Sequence, residues 1–145
     1  MTTALDTRDP STRAPLTSAA LDLLDRSDAE LRAALGSDDA GERYVHAHLA
    51  ALRAGAAVVA VRGRPTSPRR GGPRSVWEML PRIAPDLEPW AALFAATAGR
   101  RAAVEAGRDG LVDLPSADAL LHEAEQFHHV VESALGLTRL QPLAG

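Results

Sequence analysis

The chemically most suggestive segment of the chain is residues 43–48, which read R-Y-V-H-A-H. Histidine exchanges protons near neutral pH, and an arginine guanidinium stabilises the negative charge that develops on a phosphate under attack. Arg43 with His46 or His48 therefore has the residue types for metal-independent RNA cleavage. These three residues are the candidate catalytic site.

The spacing of these residues limits what they can do on a helix. At 100° per residue, Arg43 and His46 lie roughly 60° apart around the axis, whereas Arg43 and His48 lie roughly 140° apart. His48 also falls at the margin of an apolar stripe. The structural alternative, which the sequence leaves open, is a partly buried His48 beside an exposed Arg43 and His46.

An arginine-rich stretch follows at residues 63–74, which read G-R-P-T-S-P-R-R-G-G-P-R. Its prolines and glycines predict a loop rather than a helix. Arginine binds phosphate in a bidentate manner, so the stretch is the candidate phosphate- or RNA-binding site. The alternative is a solvated insertion, since no aromatic residue is interleaved to stack on bases. The candidate residues are Arg62, Arg64, Arg69, Arg70 and Arg74.

Three further histidines occur late in the chain, at His122, His128 and His129. His122 and His129 stand two helical turns apart, roughly 10 Å, which is too far for one metal ion. We interpret all three as members of a solvated helix face. The sequence predicts no metal site and no cofactor.

Composition and charge exclude several classes of protein. The chain has 145 residues, of which 46% are hydrophobic, so it is long enough for one domain with its own core. Its net charge of −3 argues against a globally basic nucleic-acid binder, and without cysteine it forms no disulfide. We see no apolar run of transmembrane length and no secretion signal, and therefore expect a cytoplasmic protein without a membrane partner.

The elements that must hold these residues are helices. Apolar residues recur at helical spacing, and no alternating run predicts a strand. We expect an all-α, up-down bundle of four to five helices. The expected helices cover about 16–35, capped by Thr17 or Ser18, then 40–62, then 75–84, capped by Ser75, then 86–106, capped by Asp86, and 116–135, capped by Ser116.

The predicted domain covers residues 16–136 and includes the basic loop at 63–74. Residues 1–15 and 137–145 are predicted tails. In the second helix, Val45, Leu49, Leu52, Ala56 and Val59 form the expected core stripe. Ala50, Ala54 and Ala57 cover the opposite side, which predicts either a central helix or an interface with a second copy.

Three segments together resemble a known family. They read E-R-Y-V-H-A-H-L-A-A-L-R-A, P-R-S-V-W-E-M-L-P-R-I-A-P-D-L-E-P-W-A-A-L-F and A-E-Q-F-H-H-V-V-E-S-A-L-G. Their order and spacing resemble the SAV-6107-like HEPN domains of actinobacteria over about residues 16–136. The resemblance implies a HEPN-type bundle of four or five helices, often paired as a homodimer.

The resemblance also implies two functions. Many HEPN proteins are ribonucleases whose arginine and histidine are separated by four to six residues and meet across the dimer. Arg43 and His48 match this spacing, but they stand in the second helix, whereas the motif usually lies late in the bundle. We therefore expect a non-catalytic, homodimeric domain that binds RNA, a nucleotide or a protein partner. The alternative is a metal-independent ribonuclease of a toxin, defence or RNA-processing system.

Overall fold

The computed structural model describes residues 16–63 and 75–137, and over these ranges it contains helices and no strand. The all-α prediction is confirmed. The helices are α1 (Ser18–Leu35), α2 (Ala40–Arg62), α3 (Val76–Ile83), α4 (Glu88–Glu105) and α5 (Leu114–Ala134), with a 3-10 turn, η1 (Pro85–Leu87), before α4.

Parts of the predicted domain organisation lie outside the described residues. These are the N-terminal tail at 1–15, the basic loop beyond Gly63 and the C-terminal tail beyond Leu137. The loop and the two tails stay predictions.

The first three helices begin where the sequence places them. Thr17 caps α1 by accepting a hydrogen bond from the amide of Ala20, and Ser75 caps α3 by accepting one from Glu78. Asp39, in the predicted loop, caps α2 through the amide of Glu42. Each cap satisfies an amide that has no partner within its helix.

The last two helices do not begin at the predicted caps. Asp86 lies in η1, and α4 starts at Glu88 without a side-chain cap. Helix α5 starts at Leu114 and is capped by Asp113, whose carboxylate accepts from the amide of Ser116. Ser116 is thus the third residue of the helix, and a proline stands at its second position, where the missing amide hydrogen costs nothing.

Helix α2 is the central helix of the bundle, since α1, α3, α4 and α5 all pack against it. The central place is one of the two alternatives that the sequence left open, but the predicted core stripe is not the most buried side of the helix. The alanines expected on the far side are fully buried, whereas Val45, Leu49, Leu52 and Ala56 are only partly buried. Small side chains face inward because they let neighbouring helices approach closely. The fully buried alanines are Ala47, Ala50, Ala51, Ala54 and Ala57.

The core contains Trp77 and both phenylalanines of the chain, and the partly buried Trp90 packs against it. Trp77 of α3 stacks on Phe94 of α4 with ring centroids 5.2 Å apart, and Phe127 of α5 lies 5.4 Å from Phe94. Trp90 completes the cluster 5.5 Å from Phe127. These four side chains fill the space that the alanines of α2 leave open.

Helix α2 is also the one helix of the described ranges that is long and apolar enough to cross a membrane by length and composition. Its most apolar 18-residue window is 56% buried inside the bundle. The apolar character of α2 is therefore explained by its central place in the core.

Candidate functional site

Arg43 is held by backbone carbonyls of the first interhelical turn. Its Nε donates to the carbonyl of Ala34 at 3.0 Å and one Nη donates to the carbonyl of Ser37 at 2.6 Å. The other Nη forms an ion pair with Asp118 of α5 at 2.5 Å. The guanidinium therefore ties the end of α1 and the start of α5 to α2. Its side chain is 19% exposed, which leaves little of it for a substrate.

His48 lies on the other side of α2 and is fully buried. Its Nε2 donates to the carbonyl of Phe94 at 2.9 Å, and its ring packs edge-on against Trp77 and Phe94. Burial lowers the pKa of His48, and the hydrogen bond to Phe94 only partly offsets this effect. His48 is thus a neutral histidine of the core. The sequence left open a structural role for His48 with partial burial, and the structure buries this side chain fully.

His46 is partly exposed and contacts α1. Its Nδ1 lies 2.6 Å from a carboxylate oxygen of Glu30, and its side chain is 36% exposed. A histidine that borders solvent and hydrogen-bonds a carboxylate can take part in proton transfer. His46 is therefore the one candidate catalytic histidine with access to solvent.

The structure separates the three candidate catalytic residues. Arg43 and His46 both reach toward α1, whereas His48 reaches toward α4. The pair with the spacing of four to six residues, Arg43 and His48, is the pair that points in different directions. Within one chain, these two side chains do not form a common site.

Only one candidate phosphate-binding arginine lies among the described residues. Arg62, in the last turn of α2, donates from an Nη to the carbonyl of Ala134 at 3.4 Å and so contacts the end of α5. Arg64, Arg69, Arg70 and Arg74 lie outside the described residues, and their role stays a prediction.

The late histidines do not share one solvated face. The side chain of His129 is 71% exposed, as expected, but His128 is only 5% exposed, so the prediction for His128 was wrong. Its Nδ1 lies 2.8 Å from the hydroxyl oxygen of Ser27 on α1, and its Nε2 lies 3.3 Å from Glu132. Ser27, His128 and Glu132 form a buried polar cluster, here called the Ser–His–Glu cluster.

A sequence signal for this cluster exists. Ser27 stands in register with the buried residues of α1, Ala20, Leu24, Leu31 and Ala34. His128 stands in register with those of α5, Ala117, Leu121, Ala124 and Val131. A polar residue at a core position of each of two helices predicts that the two residues bond each other, because a buried polar group needs a partner.

The Ser–His–Glu cluster has the residue types of a hydrolytic triad but not its geometry. In such a triad the histidine uses Nε2 toward the serine and Nδ1 toward the carboxylate. Here the two nitrogens are exchanged, and Ser27 is fully buried. A buried hydroxyl cannot attack a substrate, so the cluster is not a nucleophilic site.

A cavity of about 350 Å³ lies between the start of α2 and the end of α4. His46 lines it together with four carboxylates and one arginine. The carboxylates make this cavity unfavourable for a nucleic-acid phosphate. Among the described residues, no group of three or more histidines and carboxylates could hold a metal ion. The charged lining residues are Asp39, Glu42, Glu105, Arg108 and Asp109.

Comparison with known proteins identifies the class. The SAV-6107-like HEPN family model matches residues 34–132, which is more than half of the chain. The chain belongs to this family of helical domains. Comparisons with curated proteins and with solved structures found no match.

Proposed function

We propose that this HEPN domain is a non-catalytic, cytoplasmic interaction domain that acts as a homodimer and binds RNA, a nucleotide or a protein partner. The observation that carries the proposal is the divergence of Arg43 and His48. Arg43 is bonded to Ala34, Ser37 and Asp118, while His48 is buried against Phe94.

The chemistry of RNA cleavage supports this reading. A cleaving arginine has to direct free N–H groups at a phosphate, and a general acid has to be protonated near neutral pH. Three of the five N–H groups of Arg43, one on each nitrogen, already bind structural partners. Burial lowers the pKa of His48, which makes it a poor general acid near neutral pH.

One observation favours the alternative of a ribonuclease. His46 borders solvent, contacts Glu30 and points toward the same helix as Arg43. Only two residues separate Arg43 from His46, whereas four to six separate the arginine and histidine of the family motif. Because both side chains reach toward α1, a phosphate that they share would have to lie between α1 and α2. The alternative therefore rests on Arg43 and His46 rather than on His48.

The test is an incubation of purified protein with labelled total RNA. We expect no cleavage by the wild type, by Arg43→Ala or by His46→Gln, with His122→Gln as a matched control on an exposed histidine. Cleavage by the wild type and by His122→Gln that is lost in both Arg43→Ala and His46→Gln would establish the ribonuclease instead.

RNA binding is tested on the basic loop. We expect Ser at positions 64, 69, 70 and 74 to weaken binding of a fluorescent single-stranded RNA and to reduce the dependence of that binding on salt. Ser in place of Arg26, an exposed arginine on α1, is the control for charge. If the loop substitutions and the substitution of Arg26 weakened RNA binding equally, the effect would be one of non-specific charge. RNA binding by the loop would then be refuted, and a protein partner would be the remaining proposal.

The alanines of α2 are buried inside the bundle and cannot contact a second copy. The homodimer therefore needs another surface. The family resemblance supports a dimer. Among the helices, α4 has most of its residues at least partly exposed. Only Ala91 and Phe94 of its residues are buried. Light scattering is expected to give about twice the mass of a single chain, and a single-chain mass at high micromolar concentration would refute the dimer.

A further inference from the structure

The Ser–His–Glu cluster joins three helices through a short chain of hydrogen bonds. The hydroxyl of Ser27 on α1 lies 2.8 Å from the carbonyl oxygen of Ala50 on α2 and 2.8 Å from Nδ1 of His128 on α5. Glu132 lies at the far end, 3.3 Å from Nε2 of His128. All three side chains are nearly out of solvent, so each needs a polar partner inside the protein. Glu132 also lies 3.5 Å from Nδ1 of His129.

The hydroxyl of Ser27 has one hydrogen and two acceptors within reach. When it donates to Ala50, His128 must carry a hydrogen on Nδ1 in order to donate to the serine oxygen. When it donates to His128 instead, Nδ1 must be bare. Ala50 then keeps the bond that a helix-interior carbonyl accepts from the amide four residues later.

The other end of the imidazole is fixed by Glu132. An ionised carboxylate only accepts hydrogen bonds, so Nε2 must carry a hydrogen toward it. The bond from Ser27 to Ala50 therefore coexists with the contact to Glu132 only when both nitrogens of His128 are protonated. A neutral His128, with its hydrogen on Nε2, requires the serine to donate to Nδ1.

We propose that the Ser–His–Glu cluster is a proton-operated switch. When His128 takes up one proton from solvent at Nδ1, the hydroxyl of Ser27 turns from His128 to the carbonyl of Ala50 and bonds α1 to α2. When the proton leaves, the hydroxyl turns back and donates to His128, so the bond between α1 and α2 is lost while α1 and α5 stay bonded in both states. Protonation reverses donor and acceptor in the bond between Ser27 and His128 and adds the bond from Ser27 to Ala50. The proton comes from a hydronium ion of the solvent, whose O–H bond is replaced by the new N–H bond, and no other covalent bond changes.

Charged groups on two helices act on His128. From α1, Asp28 favours the protonated state by its charge, and from α5, Glu132 favours it by charge and by hydrogen bonding, whereas His129 opposes it. Helix α2 contributes the carbonyl of Ala50 through Ser27. Two further charged residues line the groove beside His128, namely Arg32 and Glu125.

Burial is the largest effect on His128 and lowers its pKa below the usual value of a histidine. The neutral state therefore prevails at pH 7, and acidification produces the bond from Ser27 to Ala50. The same proton also reaches the surface of the protein. His128 and Glu132 line a groove of about 710 Å³ between α1 and α5, and the proton raises the charge of this groove by one unit.

The test is nuclear magnetic resonance on the full chain with ¹⁵N- and ¹³C-labelled protein. At pH 7.5 we expect His128 to carry its hydrogen on Nε2 and to accept at Nδ1. On acidification both nitrogens become protonated, with a midpoint below about 6.5. The carbonyl ¹³C resonance of Ala50 shifts with the same midpoint.

Two variants and a control complete the test. Ser27→Ala removes the shift of the Ala50 resonance while His128 still titrates, and Glu132→Gln moves the midpoint to lower pH because it removes the favourable charge. His122→Gln, on the exposed side of α5, leaves both signals unchanged. A hydrogen on Nδ1 at pH 7.5, or an Ala50 resonance that does not follow His128, would overturn the switch.

Discussion

The guanidinium of Arg43 forms an ion pair with the carboxylate of Asp118, a residue 75 positions further along the chain, at 2.5 Å. The same guanidinium bonds the carbonyls of Ala34 and Ser37, where α1 ends. The residue with the most suggestive chemistry in the sequence is therefore a connection between α1, α2 and α5.

We expect Arg43→Ala to lower the free energy of unfolding by about 1–3 kcal/mol, because two carbonyls lose a charged donor. Urea unfolding followed by circular dichroism measures the change. Arg26→Ala, on the exposed side of α1, is the control and changes stability little. In a double-mutant cycle with Asp118→Ala we expect a small coupling of about 0.2–1 kcal/mol, since the carboxylate of Asp118 is 58% exposed. If Arg43→Ala were as stable as the wild type, Arg43 would have no structural role, and a role in catalysis would become the better explanation.

We expect His48→Ala to lower the free energy of unfolding by about 2–4 kcal/mol, because it leaves a cavity among Trp77 and Phe94. Thermal and urea unfolding measure this loss. His46→Ala is the matched control on the same helix, and its loss is smaller because that side chain is partly exposed. A His48→Ala protein as stable as His46→Ala would contradict the assignment of His48 to the core.

The pH dependence of stability follows from two buried histidines. Burial lowers the pKa of both His48 and His128 in the folded state. At a pH between the folded-state and unfolded-state pKa values, the unfolded chain therefore binds more protons than the folded protein. Stability is therefore fully present above about pH 6.5 and falls as the pH is lowered, by up to about 1.4 kcal/mol per pH unit for each histidine.

Urea unfolding at a series of pH values between 7.5 and 4.5, a range chosen to span the usual histidine value, checks this dependence. His48→Gln keeps a donor for the carbonyl of Phe94 but does not titrate, so we expect a shallower fall with acid than in the wild type. His122→Gln leaves the profile unchanged. If the free energy of unfolding fell as steeply with acid in His48→Gln as in the wild type, His48 would make no contribution to the pH dependence of stability.

The sequence predicted where helices form better than it predicted which side of each helix is buried. The apolar repeats and caps at Thr17 and Ser75 located α1 and α3 because a cap depends on residues within one turn. The side of α2 that faces the core depends on how many helices surround it, and four do. A stripe of valines and leucines predicts the buried side only for a helix with one packed face.

The candidate site shows the same limit. The position of His48 at the margin of a stripe predicted partial burial, and the structure buries it fully. The ion pair of Arg43 could not be predicted, because Asp118 of α5 is brought near by the path of the chain through α3 and α4. The pairing of Ser27 with His128 spans 101 positions and becomes visible only when both are recognised as core positions.

The contact between α2 and α3 depends on the absence of a side chain at Gly55. A Cβ atom at this position would lie 2.9 Å from Cγ1 of Val76 and 3.2 Å from Cζ3 of Trp77. We therefore expect Gly55→Ala to force α3 outward and to lower the free energy of unfolding by about 1–2 kcal/mol, even though alanine favours a helix. Urea unfolding measures the change, and tryptophan fluorescence reports on Trp77.

Gly99 of α4 is the matched control, because a Cβ atom there would meet nothing within 4 Å beyond its chain neighbours and the backbone of its own helix. Gly99→Ala is expected to raise the free energy of unfolding by about 0.5–1 kcal/mol, since the unfolded chain loses freedom and the helix meets no obstacle. The two variants make the same chemical change in two helices and differ only in what the new methyl group touches. Stabilisation by both would show that α3 adjusts without cost, whereas opposite signs would establish that Gly55 sets the distance between α2 and α3.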